Sequence, residues 1–146
     1  MEENTQPLLP ESKPKRSNLL TVLCILTFIG SGMNMFSSFV ISAFYETFIQ
    51  VLQEIAEKFN LPGMDVFLEA KPLFFFISGI LYAGSVAGAV LMFQLRKVGF
   101  HVYTIFQILL VIAPMYFMHL SGPNISDLIF SGTFIILYSI HLKIMI

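Results

Sequence analysis

The sequence predicts an all-α membrane protein: a four-transmembrane-helix bundle with an amphipathic helix in its first external loop. Three observations carry that prediction. Of 146 residues, 56% are hydrophobic and only 12% charged, with a mean hydropathy of +0.81; soluble domains carry roughly 25% charged residues. So little charge cannot cover a water-exposed surface, and the composition excludes a disordered chain, a nucleic-acid binder and a disulfide scaffold. Secondly, the acidic and basic residues all fall outside four windows, Ser17–Tyr45, Pro72–Leu95, Val98–Ser126 and Leu128–Leu142. Thirdly, the basic residues are distributed unequally between the two sides that those windows define.

The first element is a tail, residues 1–18, rich in proline and mixed charge and with little to bury. It reads as a disordered cytoplasmic segment ending in the basic anchor Lys13, Lys15 and Arg16. A helix rises about 1.5 Å per residue, so about 20 residues cross a hydrocarbon core of about 30 Å. The spans predicted on that basis are residues 19–45, 72–95, 98–119 and 125–146, which together form one transmembrane domain, 19–146. The fourth requires Lys143 to reach back to the headgroups. The basic residues before the first span also suit a signal peptide, but the apolar run is too long and lacks a small-residue cleavage site.

Four spans place both ends and the Arg96–Lys97 link on one side, together with Lys13, Lys15, Arg16 and Lys143. The other side holds Lys58 and Lys71 among six acids, Glu46, Glu54, Glu57, Asp65, Glu69 and Asp127. Cytoplasmic loops carry the excess of lysine and arginine, which predicts cytoplasmic N- and C-termini. The expected location is a bacterial inner membrane, crossed several times.

The external loop, residues 46–71, holds Phe48, Val51, Leu52, Ile55 and Phe59 at helical spacing, with charged and amide side chains between them. Its apolar face either docks over the bundle or rests at the lipid headgroups. The excess of acids means that a small ligand drawn to this loop would be cationic. Asn60-Leu-Pro-Gly63 then predicts a stop and turn, Met64–Lys71 two further helical turns, and Pro72 the first turn of the second span. Asn124 or Ser126 is expected to cap the fourth span, with Asp127 at its positive end.

Within the spans the polar groups are uncharged and share faces. Cys24, Thr27, Ser31, Asn34 and Ser38 form a stripe along the first span, Thr104 and Gln107 follow a similar line in the third, and Ser131 and Tyr138 in the fourth. The stripe Thr27, Ser31, Asn34, Ser38 and Gln107 either lines a pathway for a small solute or supplies hydrogen bonds between helices, each contributing about 0.6 kcal/mol. Asn34 and Gln107 are expected inside in either case. In the second span, Gly84-Ser-Val-Ala-Gly88 matches the G-x-x-x-G spacing that lets backbones approach closely. Its neighbour is another span or another subunit, with Gly30, Gly32 and Gly132 as candidate counterparts.

Catalytic chemistry has no visible candidate, and no cofactor or metal site is expected. Cys24 is the single cysteine, and His101, His119 and His141 lie at span ends on opposite sides. Nucleophile-elbow, phosphate-loop and H-E-x-x-H motifs do not occur in the sequence.

The segments Leu20-Thr-Val-Leu-Cys-Ile-Leu-Thr-Phe-Ile-Gly-Ser-Gly32, Gly79-Ile-Leu-Tyr-Ala-Gly-Ser-Val-Ala-Gly88 and Leu95-Arg-Lys-Val-Gly-Phe-His-Val-Tyr-Thr-Ile-Phe-Gln107 resemble a group of small four-span membrane proteins of Bacteroidota-type bacteria. The resemblance covers nearly the whole hydrophobic chain and implies a topology and compartment, but no site residues. The functional expectation is therefore a non-enzymatic accessory or structural membrane subunit acting through helix–helix interactions. The alternative is a small solute transporter or channel component with an uncharged polar interior. The expected partners are the lipid bilayer and a second copy or another membrane protein, and no nucleic acid.

Overall fold

The computed structural model describes residues 15–119 and 122–146, which are helical with no β-strand among them. Four helices are long and apolar enough to cross a membrane. They are α1 (Asn18–Ala43), α4 (Pro72–Phe93), α5 (Lys97–Phe117) and α6 (Ile125–Ile140), the last continued by a 3₁₀ turn at His141–Ile144. Two shorter helices, α2 (Tyr45–Phe59) and α3 (Asp65–Leu68), connect α1 to α4. Most of the predicted tail lies outside the described residues; Lys15–Ser17 are non-helical and α1 starts at Asn18.

The observed boundaries differ from the charge windows where local backbone chemistry intervenes. The first window runs to Tyr45, but α1 stops at Ala43, because Phe44 leaves helical geometry (φ −112°, ψ 36°). Its N–H still bonds the Val40 carbonyl and its own carbonyl accepts from Phe48, so the chain bends over one residue and α2 begins at once. Asn60 closes α2 in the left-handed region, at φ 48°, as a short polar side chain tolerates. Gly63 turns the chain at φ 90°. The stretch before Pro72 makes one helical turn, α3, where two were expected, and Pro72 opens α4 at its first position. In α6, Asn124 occupies the cap position without capping a backbone N–H. Its side-chain amide instead donates to the Asp127 carboxylate at 3.4 Å.

Helix α4 is the centre of the bundle, packing along both α1 and α5, while α6 rests mainly on α5. The glycines explain the closeness of α4 and α5. A Cβ on Gly84 would collide with the Phe106 ring, and one on Gly88 would lie 2.6 Å from the Tyr103 backbone nitrogen. Gly99 completes the crossing, since a Cβ there would lie 2.5 Å from the Met92 nitrogen. The G-x-x-x-G face is therefore filled by α5 of the same chain. The expected counterparts Gly30, Gly32 and Gly132 are not used, for nothing stands within 4 Å of a Cβ at any of them. The reason lies in the turn between α4 and α5: the Leu95 N–H bonds Met92 and the Arg96 N–H bonds Leu91, with Leu95 left-handed at φ 63°. That Schellman-type closure sends α5 straight back along α4.

The core divides into two clusters at opposite ends. At the end carrying Arg96 and the chain's last residues, Leu20, Leu23, Cys24, Ala89, Met92, Tyr103, Tyr138 and Met145 are buried together, drawn from every long helix. The Ile146 N–H bonds the Leu95 carbonyl at 2.7 Å, and the Lys97 N–H bonds the Ile146 carbonyl at 3.0 Å, which ties the end of the chain to the turn. At the α2–α3 end, Ala70, Phe74, Phe75 and Ala113 join α1, α4 and α5 with no contribution from α6. Phe75 stacks on Phe48 of α2 at 5.9 Å, and the Tyr45 hydroxyl donates to the Ala70 carbonyl at 2.6 Å. The bundle thus closes around four helices at one end and three at the other. Helix α6 buries only Tyr138 along its α-helical length.

Candidate functional site: a polar chamber beside α6

The divergence of α6 leaves two adjoining cavities between α1, α4, α5 and α6. The inner one, about 280 Å³, is lined by Thr27, Ser31, Asn34, Tyr82, Tyr103, Gln107, Asp127 and Ser131 together with apolar side chains. The outer one, about 380 Å³, shares Asn34, Tyr82 and Asp127 with it and reaches Ser38, Ser78, Phe67 and Asn124. Each helix supplies one face. Thr27, Ser31, Asn34 and Ser38 of α1 recur at steps of three and four, as do Ser78 and Tyr82 of α4, Tyr103 and Gln107 of α5, and Asp127 and Ser131 of α6, with Tyr138 two turns beyond Ser131.

The floor is a hydrogen-bonded network. The Thr27 and Tyr138 hydroxyls lie 2.8 Å apart, linking α1 to α6. The Gln107 amide donates to the Tyr103 hydroxyl at 2.7 Å, and the Ser131 hydroxyl donates to Gln107 Oε1 at 3.4 Å. Tyr103 and Tyr138 pack edge to face at 5.0 Å and are almost wholly buried. Ser31 meets Ser85 of α4 at 3.3 Å, and the Cys24 thiol points to the Ala89 carbonyl at 3.7 Å. Below this layer lies the apolar cluster around Leu20, Leu23 and Met92, so the chamber ends blind.

Of the stripe read from the sequence, Thr27, Ser31 and Ser38 are buried and Gln107 is half-buried in the network. Asn34 differs from its expected interior position. It lines both cavities but is exposed, and its amide turns back to the Gly30 carbonyl at 2.8 Å. Its angle on α1 is right for the interior, but α6 has already moved away at that height. Thr104 does not reach the chamber; its hydroxyl is the one buried side-chain polar atom without a partner among the described residues.

Three contributors were absent from the sequence reading. Tyr82 was hidden among the small residues of α4, although Ser78, Tyr82, Ser85 and Ala89 share one face. Tyr103 lies one turn before Gln107. Asp127, expected as one of the external acids and as a residue favouring the start of α6, forms part of both cavity walls, with Ser131 one turn further along the helix. Asp127 is exposed, so it places a carboxylate at the edge of the cavities.

Pro114 adds a backbone feature. Without an N–H it cannot donate to the Leu110 carbonyl one turn earlier, so that carbonyl loses its helical donor. Leu110 lines the inner cavity and Pro114 the outer.

The fold sets four helices long and apolar enough to cross a membrane around two adjoining cavities with polar side chains in their walls. No protein family, curated protein or solved structure matches the chain.

Proposed function

We propose that this chain is a bacterial inner-membrane protein with both ends cytoplasmic, which admits a small solute into the chamber beside α6 as a transporter or channel component. The observation that supports this reading is the concentration of polar side chains on the chamber wall. Beyond the bonds made within the network, any of these groups left without a partner against hydrocarbon would cost on the order of 2 kcal/mol or more. The same groups facing water or a polar solute would not. The chamber opens beside α3 and the start of α6 and stops at the Tyr103–Tyr138 layer, an arrangement suited to binding from one side rather than to an open pore.

The orientation rests on charge. Arg16, Arg96, Lys97 and Lys143 gather at the sealed end, while the segment 46–71 and Asp127 bring six acids and two lysines to the open end. By the positive-inside rule the sealed end is cytoplasmic. A periplasmic reporter fused after Ile146 is expected to be inactive, and the same reporter inserted at Gly63 active; the reverse pattern would overturn the orientation. Helix α2 then lies along the outer headgroup layer as the amphipathic helix of the external loop, with its unburied Val51, Ile55 and Phe59 satisfied by lipid.

Cysteine accessibility tests the chamber. In a Cys24→Ala background, single cysteines at Ser31, Asn34 and Ser38 are expected to react with a membrane-impermeant maleimide added from the periplasmic side. A cysteine at Ile29, exposed on the lipid side of α1, is expected to stay unlabelled. Protection at all three chamber positions would sink the reading.

A second reading, an accessory subunit acting through helix–helix contacts, has its own support in α6. Ile129, Phe130, Ile136 and Ile140 are each at least 60% exposed on a helix that buries little else, so a partner helix seated there would complete the fourth wall. Stoichiometric co-purification of another membrane protein in mild detergent, together with loss of maleimide labelling in its presence, would favour it.

A further inference from the structure

We infer that the chamber selects small organic cations, with Asp127 as the anionic residue at its mouth. The inference rests on the solute-chamber reading above and specifies the ligand. Asp127 is the one carboxylate lining the two cavities, and no lysine, arginine or histidine among the described residues lines either. Its position at the start of α6 exposes it to the positive end of the helix, equivalent to about half an elementary charge, which leaves the mouth net negative. Inside, the groups offered to a solute are hydroxyl and carboxamide oxygens, the aromatic rings of Tyr82 and Tyr103, and the wall residue Leu110, whose carbonyl Pro114 deprives of its donor. Carbonyl oxygens and ring faces both favour a positive charge.

The size and donor set argue against a bare metal ion. An inner space of about 280 Å³ is far larger than a desolvated ion, and no three His, Cys, Asp or Glu side chains among the described residues converge to hold one. An ammonium carrying a few carbons fits within such a space. It would contact the tyrosine rings through its methyl or methylene groups and approach Asp127 with its charge. The segment 46–71 joining α1 to α4 carries five acids, Glu46, Glu54, Glu57, Asp65 and Glu69, against the two lysines Lys58 and Lys71, an excess that favours cations at this end.

The test uses the full chain in lipid nanodiscs and three probes of similar size, tetramethylammonium, tert-butanol and pivalate, with binding read by calorimetry. Tetramethylammonium is expected to bind at least tenfold more tightly than tert-butanol, and pivalate not at all. Asp127→Asn is expected to reduce tetramethylammonium affinity at least tenfold and leave tert-butanol unchanged, whereas Asp127→Glu retains most of it. Thermal melting of both variants checks that the bundle is intact. Equal binding of the cation and the alcohol, or an Asp127→Asn protein that binds tetramethylammonium as wild type does, overturns the cation inference and leaves the chamber standing. Failure of all three probes, combined with protection of the Ser31 cysteine, overturns the chamber reading itself.

Discussion

Gly88→Ala is expected to destabilise the bundle by about 1–3 kcal/mol, the range for overpacking a tight interior, with the result nearer the upper end. The added methyl would lie 2.6 Å from the Tyr103 nitrogen and 2.8 Å from its Cα, and backbone cannot swing aside as a side chain does. Relief requires α5 to move bodily off α4. That motion is opposed by Gly99, set just as closely on Met92 and Gly88, and by the Schellman closure at Leu95. Gly84→Ala is expected to cost less, since its obstacle is the half-buried ring of Phe106, which can rotate outward. Gly30→Ala and Gly132→Ala meet open space and serve as controls. Unfolding midpoints in an SDS titration check the order Gly88, then Gly84, then the controls. A Gly88→Ala protein as stable as Gly132→Ala would show that the α4–α5 crossing is looser than described.

The contrast among these glycines also shows what was legible in the sequence. Charge-free windows pointed to four long apolar helices, because lipid imposes a composition that no local propensity can mimic, but not to their bounds, since the third window runs to Ser126, past the start of α6 at Ile125. The spacing of Gly84 and Gly88 marked a face of close approach. It did not name the partner, since periodicity orders residues around one helix and says nothing about the helix opposite. The role of Gly99 appears only once α5 lies on α4. Asn34 illustrates the converse. Its register on α1 was read correctly, yet its environment depends on where α6 departs. That departure follows from the aromatic cluster at Phe74 and Phe75 joining three helices and omitting the fourth. Asp127 was legible as a helix-start residue but not as a chamber wall.

Tyr138→Ala is expected to remove the floor of the chamber, and Cys24, the protein's only cysteine, reports it without further engineering. Tyr138 and Cys24 are both wholly buried in one cluster, and the Tyr138 hydroxyl meets that of Thr27, which lines the inner cavity. Truncating an aromatic side chain in a packed core costs about 3–5 kcal/mol, part of it from the space left behind. Here that space joins an existing polar chamber instead of closing over. The hydroxyl partner of Thr27 is lost with the ring, leaving a polar group that water would satisfy. Wild-type Cys24 is therefore expected to resist an impermeant maleimide, and the Tyr138→Ala protein to be labelled from the α2–α3 side. Tyr138→Phe keeps the ring and its edge-to-face contact with Tyr103, losing only the bond to Thr27. It is expected to stay protected and to lose about 0.6 kcal/mol, the mean for a hydrogen bond between membrane helices. Labelling in both variants would mean that the hydroxyl network seals the chamber. Labelling in neither would place the seal in the apolar layer around Leu20, Leu23 and Met92. The outcome expected here assigns it to the tyrosine ring, because Tyr138 is the residue that α6 buries along its α-helical length.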